Sequence, residues 1–134
     1  MQITRQADYA VRAIMFLSRL NLHEKASTKL IAETQKIPLS FLAKIIAQLS
    51  VAGIITTMRG AKGGVCLSRR PGEISVLEVV EAIDGPILLN QCVVSDHECQ
   101  IENCAMRKIW IRSQKYLVNE LKKTNFQLLI EEID

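Results

Sequence analysis

The stretch Lys36-Ile37-Pro38 constrains this chain more than any other, because it separates two short segments that both carry apolar residues at helical spacing. Proline lacks the N–H that a helix interior needs and pushes the residue before it out of helical geometry. The chain must therefore turn sharply between two helices. The first is predicted over 28–35, with Ser27 as its N-cap; the second runs over about 39–52, ahead of a glycine, Gly53, suited to a left-handed cap. A longer amphipathic helix precedes them over 4–21, marked by Ala10, Ile14 and Leu17 with Val11 and Leu20 beside them. Helix, tight turn, helix is the pattern of a helix-turn-helix.

The second helix of the pair has two distinct faces. Leu42, Ile45, Ile46 and Leu49 fall at i, i+3, i+4 and i+7 and form the core side. Ser40, Lys44 and Ala47 point the other way, and small or basic residues there suit entry into the major groove of DNA. Two alternating segments follow, 54–58 and 65–68, joined by Arg59-Gly-Ala-Lys-Gly-Gly64, which reads as a β-hairpin with a glycine-rich tip. Arg59 and Lys62 in that tip suit a wing that touches the minor groove or the phosphates. The tip is not a nucleotide-binding P-loop, since it lacks the GK[ST] ending and a following helix.

Charge supports a nucleic-acid surface. The net charge of +3 hides eleven Lys/Arg against three acids in residues 1–70, and six against eleven in residues 71–134. The halves therefore carry +8 and −5, and no acid occurs between Glu33 and Glu73. Such asymmetry fits one half that binds a polyanion and another with a different task.

That other half holds three cysteines within thirteen residues, Cys92, Cys99 and Cys104. A helix over about 76–83, capped by Ser75 and ended by Gly85-Pro86, leads into the segment 87–103, which has no clean period and contains two of them. A loop of that length in a compact domain is functional or disordered. A long helix follows from about Cys104 to Lys123, with Met106, Ile109, Trp110, Leu117 and Leu121 on one stripe and Ile111 and Val118 beside it. So broad an apolar surface exceeds what one small domain needs, and it is read as a dimer helix. The expected fold is mainly α with a small β-hairpin: a winged helix-turn-helix over 1–85, a ligand-binding loop over 86–104, and a dimerisation helix and tail over 105–134. None of the three cysteines forms a CxxC pair, which argues against a thioredoxin-like enzyme and the commoner zinc ribbons.

Other classes find little support. No Ser/His/Asp set, paired carboxylates or nucleotide loop can be assembled, and His23 and His97 are the only imidazoles, so an enzyme is not expected. The charged N-terminal helix, with Arg5, Asp8, Arg12 and Arg19, is no signal peptide or membrane span, so the expected setting is cytoplasmic, with no membrane partner. In that compartment four cysteines point to metal or redox chemistry ahead of disulfides. Cys66, in the second hairpin strand, reads as a small buried apolar residue.

The order of parts resembles the family of winged-helix transcription regulators that includes IscR, NsrR and RirA. The resemblance runs through the opening TRQADYAVRA, the recognition region LSFLAKIIAQLSVAGII, the wing RGAKGG, the turn IDGP and the three spaced cysteines. It implies a homodimer that binds palindromic double-stranded promoter DNA. It also implies an iron–sulfur cluster, 2Fe–2S or 4Fe–4S, on Cys92, Cys99 and Cys104. In IscR-like members a histidine three residues after the third cysteine is the fourth ligand, but Arg107 stands there and cannot ligate. NsrR-like members use an aspartate from the partner's first helix, and Asp8 is at the matching place; His97, Glu98 and Glu102 are local substitutes. A Cys3His zinc site built from Cys92, His97, Cys99 and Cys104, or a metal-free thiol switch, stays open beside the cluster.

Overall fold

A computed structural model describes residues 2–93, 101 and 104–132 of the chain. Helix α1 spans Arg5–Ser18, with Thr4 as N-cap, its side chain accepting from the Ala7 N–H. Helices α2, Thr28–Gln35, and α3, Leu39–Val51, flank the predicted turn. Ser27 caps α2 through the Leu30 N–H, and Lys36 makes the turn in the left-handed region, with φ 55° and ψ 48°. After α3 the chain reverses at Gly53, whose φ of 76° a residue with a Cβ would adopt only under strain.

The wing is an antiparallel hairpin of β1, Ile55–Met58, and β2, Gly64–Leu67, in the register Ile55↔Leu67 to Met58↔Gly64. On its other side β2 pairs with the single residue Ala26, through Ala26 N–H to Val65 O at 2.9 Å and Val65 N–H to Ala26 O at 2.8 Å. This third contact roots the wing in the turn before α2. Within the tip, a Cβ on Gly63 would lie 2.3 Å from the Met58 carbonyl oxygen, so the tight return admits only glycine.

A 3-10 turn at Pro71–Glu73 leads to α4, Val76–Asp84, which begins with a reciprocal cap between Ser75 and Glu78. Burial would raise the Glu78 carboxyl. The Ser75 hydrogen bonds and the Arg69 guanidinium outweigh it and hold the group below its ordinary value. The Arg69–Glu78 pair, 3.0 Å, ties the end of the wing to α4. A 3-10 turn at Gln91–Val93 precedes α5, Ala105–Lys123, and α6, Phe126–Glu132, closes the chain.

The main core gathers Ala10, Ile14 and Leu17 of α1, the stripe Leu42, Ile45, Ile46 and Leu49 of α3, the wing residues Ile55, Val65 and Leu67, Val79 of α4, and Phe126 of α6. Cys66 is buried, as its place in the wing strand led one to expect. The first helix is shorter than its apolar pattern, ending at Ser18, whose hydroxyl donates back to the Ile14 carbonyl. The segment after Lys123 holds more order than a tail: the Phe126 N–H donates to Ile74 O, and its ring is fully buried. Among the described residues no helix is long and apolar enough to cross a membrane.

Candidate functional site

The first candidate surface is the outer side of the winged helix. Packing Leu42, Ile45, Ile46 and Leu49 inward leaves Ser40 and Lys44 exposed on the opposite side of α3. Arg59 and Lys62 are exposed in the wing tip, where the Lys25 ammonium donates to the Lys62 carbonyl at 3.4 Å. The helix-turn-helix and the wing thus present basic side chains on exposed ground with no acid in the intervening sequence.

The second candidate is the base of α5. Cys104 is its N-cap residue, and its side chain makes no capping hydrogen bond to the first-turn N–H groups. Cys92 lies in the 3-10 turn that packs beside α5. Arg107 joins them: its Nε donates to the Cys92 carbonyl at 2.9 Å, and its backbone N–H donates to the Cys104 carbonyl at 3.2 Å. Both cysteines are free thiols and half-buried. Cys99, with His97, Glu98 and Glu102, lies outside the described residues, and among those described no three metal-binding side chains converge. Two half-buried soft sulfur donors near the start of a helix are of the type that a thiolate-held metal group requires. Arg107, read from sequence only as a side chain that cannot ligate, holds the backbone of the Cys92 turn against α5.

Asp8 lies on the exposed side of α1. Its Oδ2 accepts from the Arg12 guanidinium at 2.7 Å, and Arg12 also lies 5.4 Å over the Tyr9 ring. An exposed i,i+4 pair of this kind contributes only about 0.3–0.5 kcal/mol, so Asp8 could be drawn to another partner at little cost.

The structure adds a link that the sequence did not reveal. The Thr4 hydroxyl and backbone N–H both donate to the carboxylate of Asp84, the last residue of α4. Immediately beyond, Ile87 packs with Ala7 and Val80 in a small second core, joined by half-buried Leu117, Val118 and Leu121 of α5. The Leu89 N–H then donates to the Gln114 side chain at 3.0 Å. The start of α1, four residues from Asp8, is therefore fastened to the start of the cysteine loop. The sequence showed there only the IDGP turn, with Gly85-Pro86 read as the end of the helix over 76–83.

A winged helix with a basic outer face beside a thiol-bearing loop defines a class of DNA-binding regulators. The chain belongs to the Rrf2 family, described as iron-dependent transcriptional regulators, whose model matches residues 3–132. It is 37% identical over 100 residues to the HTH-type transcriptional regulator NsrR of Geobacillus kaustophilus, covering 74% of this chain and 68% of that one. Among solved structures, CymR, the global cysteine regulator of B. subtilis, superposes with a TM-score of 0.87 at 25% identity, over 100% of this chain and 99% of that one. T. potens IscR shares the fold with a TM-score of 0.82 at 22% identity, over 100% and 89% of the two chains.

Proposed function

We propose that this transcriptional regulator works as a homodimer on palindromic promoter DNA and that an iron–sulfur cluster sets its affinity for that DNA. Residues 1–85 would read the DNA, 86–104 hold the cluster, and 105–134 carry the dimer contact. Cys92, Cys99 and Cys104 would bind the cluster, with Asp8 of the partner subunit as the fourth ligand. Ser40 and Lys44 would enter the major groove while Arg59 and Lys62 engage the backbone or the minor groove. The observation that carries the proposal is a pair of free, half-buried cysteines, Cys104 at the N-cap of α5 and Cys92 in the turn whose carbonyl Arg107 of α5 holds.

The cluster, when bound, supplies a centre that nitric oxide, oxygen or iron scarcity can convert or remove. The chain's own residues would translate that change. Arg107 holds the Cys92 carbonyl beside α5, and the Thr4–Asp84 contact would relay the position of the loop to α1. A ligand taken from the partner's α1 would tie one DNA-reading half to the other subunit's loop, so its loss would shift the population between two geometries.

A second reading, a metal-free thiol switch on the same cysteines, is favoured by the likeness to a global cysteine regulator. Anaerobic purification with iron, sulfide and zinc assayed together separates the readings. The expected result is brown protein with equal iron and sulfide, and colourless protein for Cys92→Ala or Cys104→Ala. Colourless wild-type protein with one zinc per chain would instead support a structural Cys3His site; colourless protein without metal would support the thiol switch.

A further inference from the structure

The outward side of α3 is poor in hydrogen-bonding groups, and that poverty indicates what it can read. Its first three turns expose Ser40, Phe41, Ala43, Lys44 and Ala47. Phe41 is 46% exposed and belongs to neither core cluster, so packing within the chain does not account for an aromatic ring there. None of the five residues is Arg, Asn, Asp or Glu. These five residues therefore offer neither an arginine for guanine nor an asparagine for adenine; the polar readers of the face are Ser40, Lys44 and, one turn further on, the half-exposed Gln48.

Exposed basic residues flank that face along the chain and suit one occupant. Lys36 in the turn, Lys44 on the helix, and Arg59 and Lys62 in the wing are all exposed, and no acid lies between Glu33 and Glu73. Such charge complements phosphates on either side of a groove. An apolar helix face drawn into a major groove gains most where it meets an apolar group. The only such group on a base edge there is the 5-methyl of thymine, for which alanine and phenylalanine are the matching side chains.

We infer that α3 selects thymine in the major groove by van der Waals contact of Phe41, Ala43 and Ala47 with 5-methyl groups. Ser40 and Lys44 add the polar contacts. This rests on the DNA-reading role proposed above and names the base feature that role depends on. The specificity resides in the methyl group itself, so changing the DNA and leaving the protein intact can test it.

Selection from a randomised duplex pool gives a preferred duplex, in which each thymine is then replaced singly by deoxyuridine. Uridine keeps the pairing and removes only the methyl. The expected result is thymine enrichment in each half-site and about a fourfold loss of affinity for every contacted methyl removed. Placing 5-methylcytosine opposite guanine at such a position, which restores a methyl at the same place in the groove, should bind better than plain cytosine. In Phe41→Ala protein the uridine penalty should vanish at one position and persist at the others. Equal affinity for thymine and uridine at every position overturns the inference, as does a selected site dominated by guanine. Failure to select any duplex would remove the DNA-reading role itself, and the inference with it.

Discussion

Phe126→Ala is expected to lower stability by about 3–5 kcal/mol, the usual cost of emptying a fully buried aromatic site. The ring is the bulkiest of the fully buried side chains and joins the main core from α6, the last helix of the chain. The backbone around it is equally committed: the Phe126 N–H donates to Ile74 O, and the Val76 N–H donates to Thr124 O. These bonds fasten the end of α5 to the start of α4. A loss of this size is a large part of the roughly 5–15 kcal/mol available to a domain of ordinary stability. Chemical denaturation measures it directly. Leu128→Ala on the exposed side of the same helix should change stability by no more than about 0.5 kcal/mol. Equal and small effects at both positions would show that α6 is a loosely attached tail.

Ile109→Glu is expected to leave the chain folded, dissociate the proposed dimer and weaken binding to a palindromic duplex by about 100-fold or more, since joined half-sites lose their avidity. No residue of α5 is fully buried within the chain, and Met106, Ile109, Trp110 and Ile111 remain 37–48% exposed. Across a two-fold interface the substitution occurs twice, and each carboxylate would enter an apolar contact unpaired. Ile109 is the better probe than Leu117, which already packs beside Ala7, Val80 and Ile87 in the same chain, so charging it would damage the fold as well. Sedimentation with circular dichroism checks both halves of the expectation. A folded Ile109→Glu dimer with unchanged DNA affinity would remove α5 as the assembly surface.

Local punctuation made much of the fold legible. Ser27, Ser75, Gly53 and Gly85 stand where helices start or stop, and each works through its own backbone or a neighbouring N–H, so the signal is short-range. The core stripe of α3 was equally plain, because an amphipathic helix writes its inner face into the sequence. What stayed hidden depended on distant contacts. The residues of α6 are too few for a strong period, and Phe126 matters only because Ile74 and α1 lie beside it. The stripe on α5 read as one surface, yet Leu117, Val118 and Leu121 pack within the chain while the part nearer Cys104 stays bare. Periodicity gives a face its polarity but not its partner.

The candidate site was legible in its residue types and not in its connections. Three cysteines close together announce soft-ligand chemistry by themselves. Nothing in the spacing shows that Arg107 reaches back to the Cys92 carbonyl, or that Thr4 grips Asp84 across eighty residues. Asp8 shows the same limit: as a sequence position it matches a ligand, and within one chain it is the partner of Arg12.

If the state of the cysteine loop sets DNA affinity, removing the metal must change how tightly the protein holds one and the same duplex. The affinity of a single selected duplex is determined anaerobically, at one fixed salt concentration, for cluster-loaded protein, for the same preparation stripped of metal, and for Cys104→Ala. Fixed salt matters because phosphate contacts alone make affinity strongly salt-dependent. Loaded and stripped proteins should differ by about tenfold or more, and Cys104→Ala should match the stripped form. Equal affinity of all three for the duplex would contradict it, since a ligand that binds two states equally shifts neither.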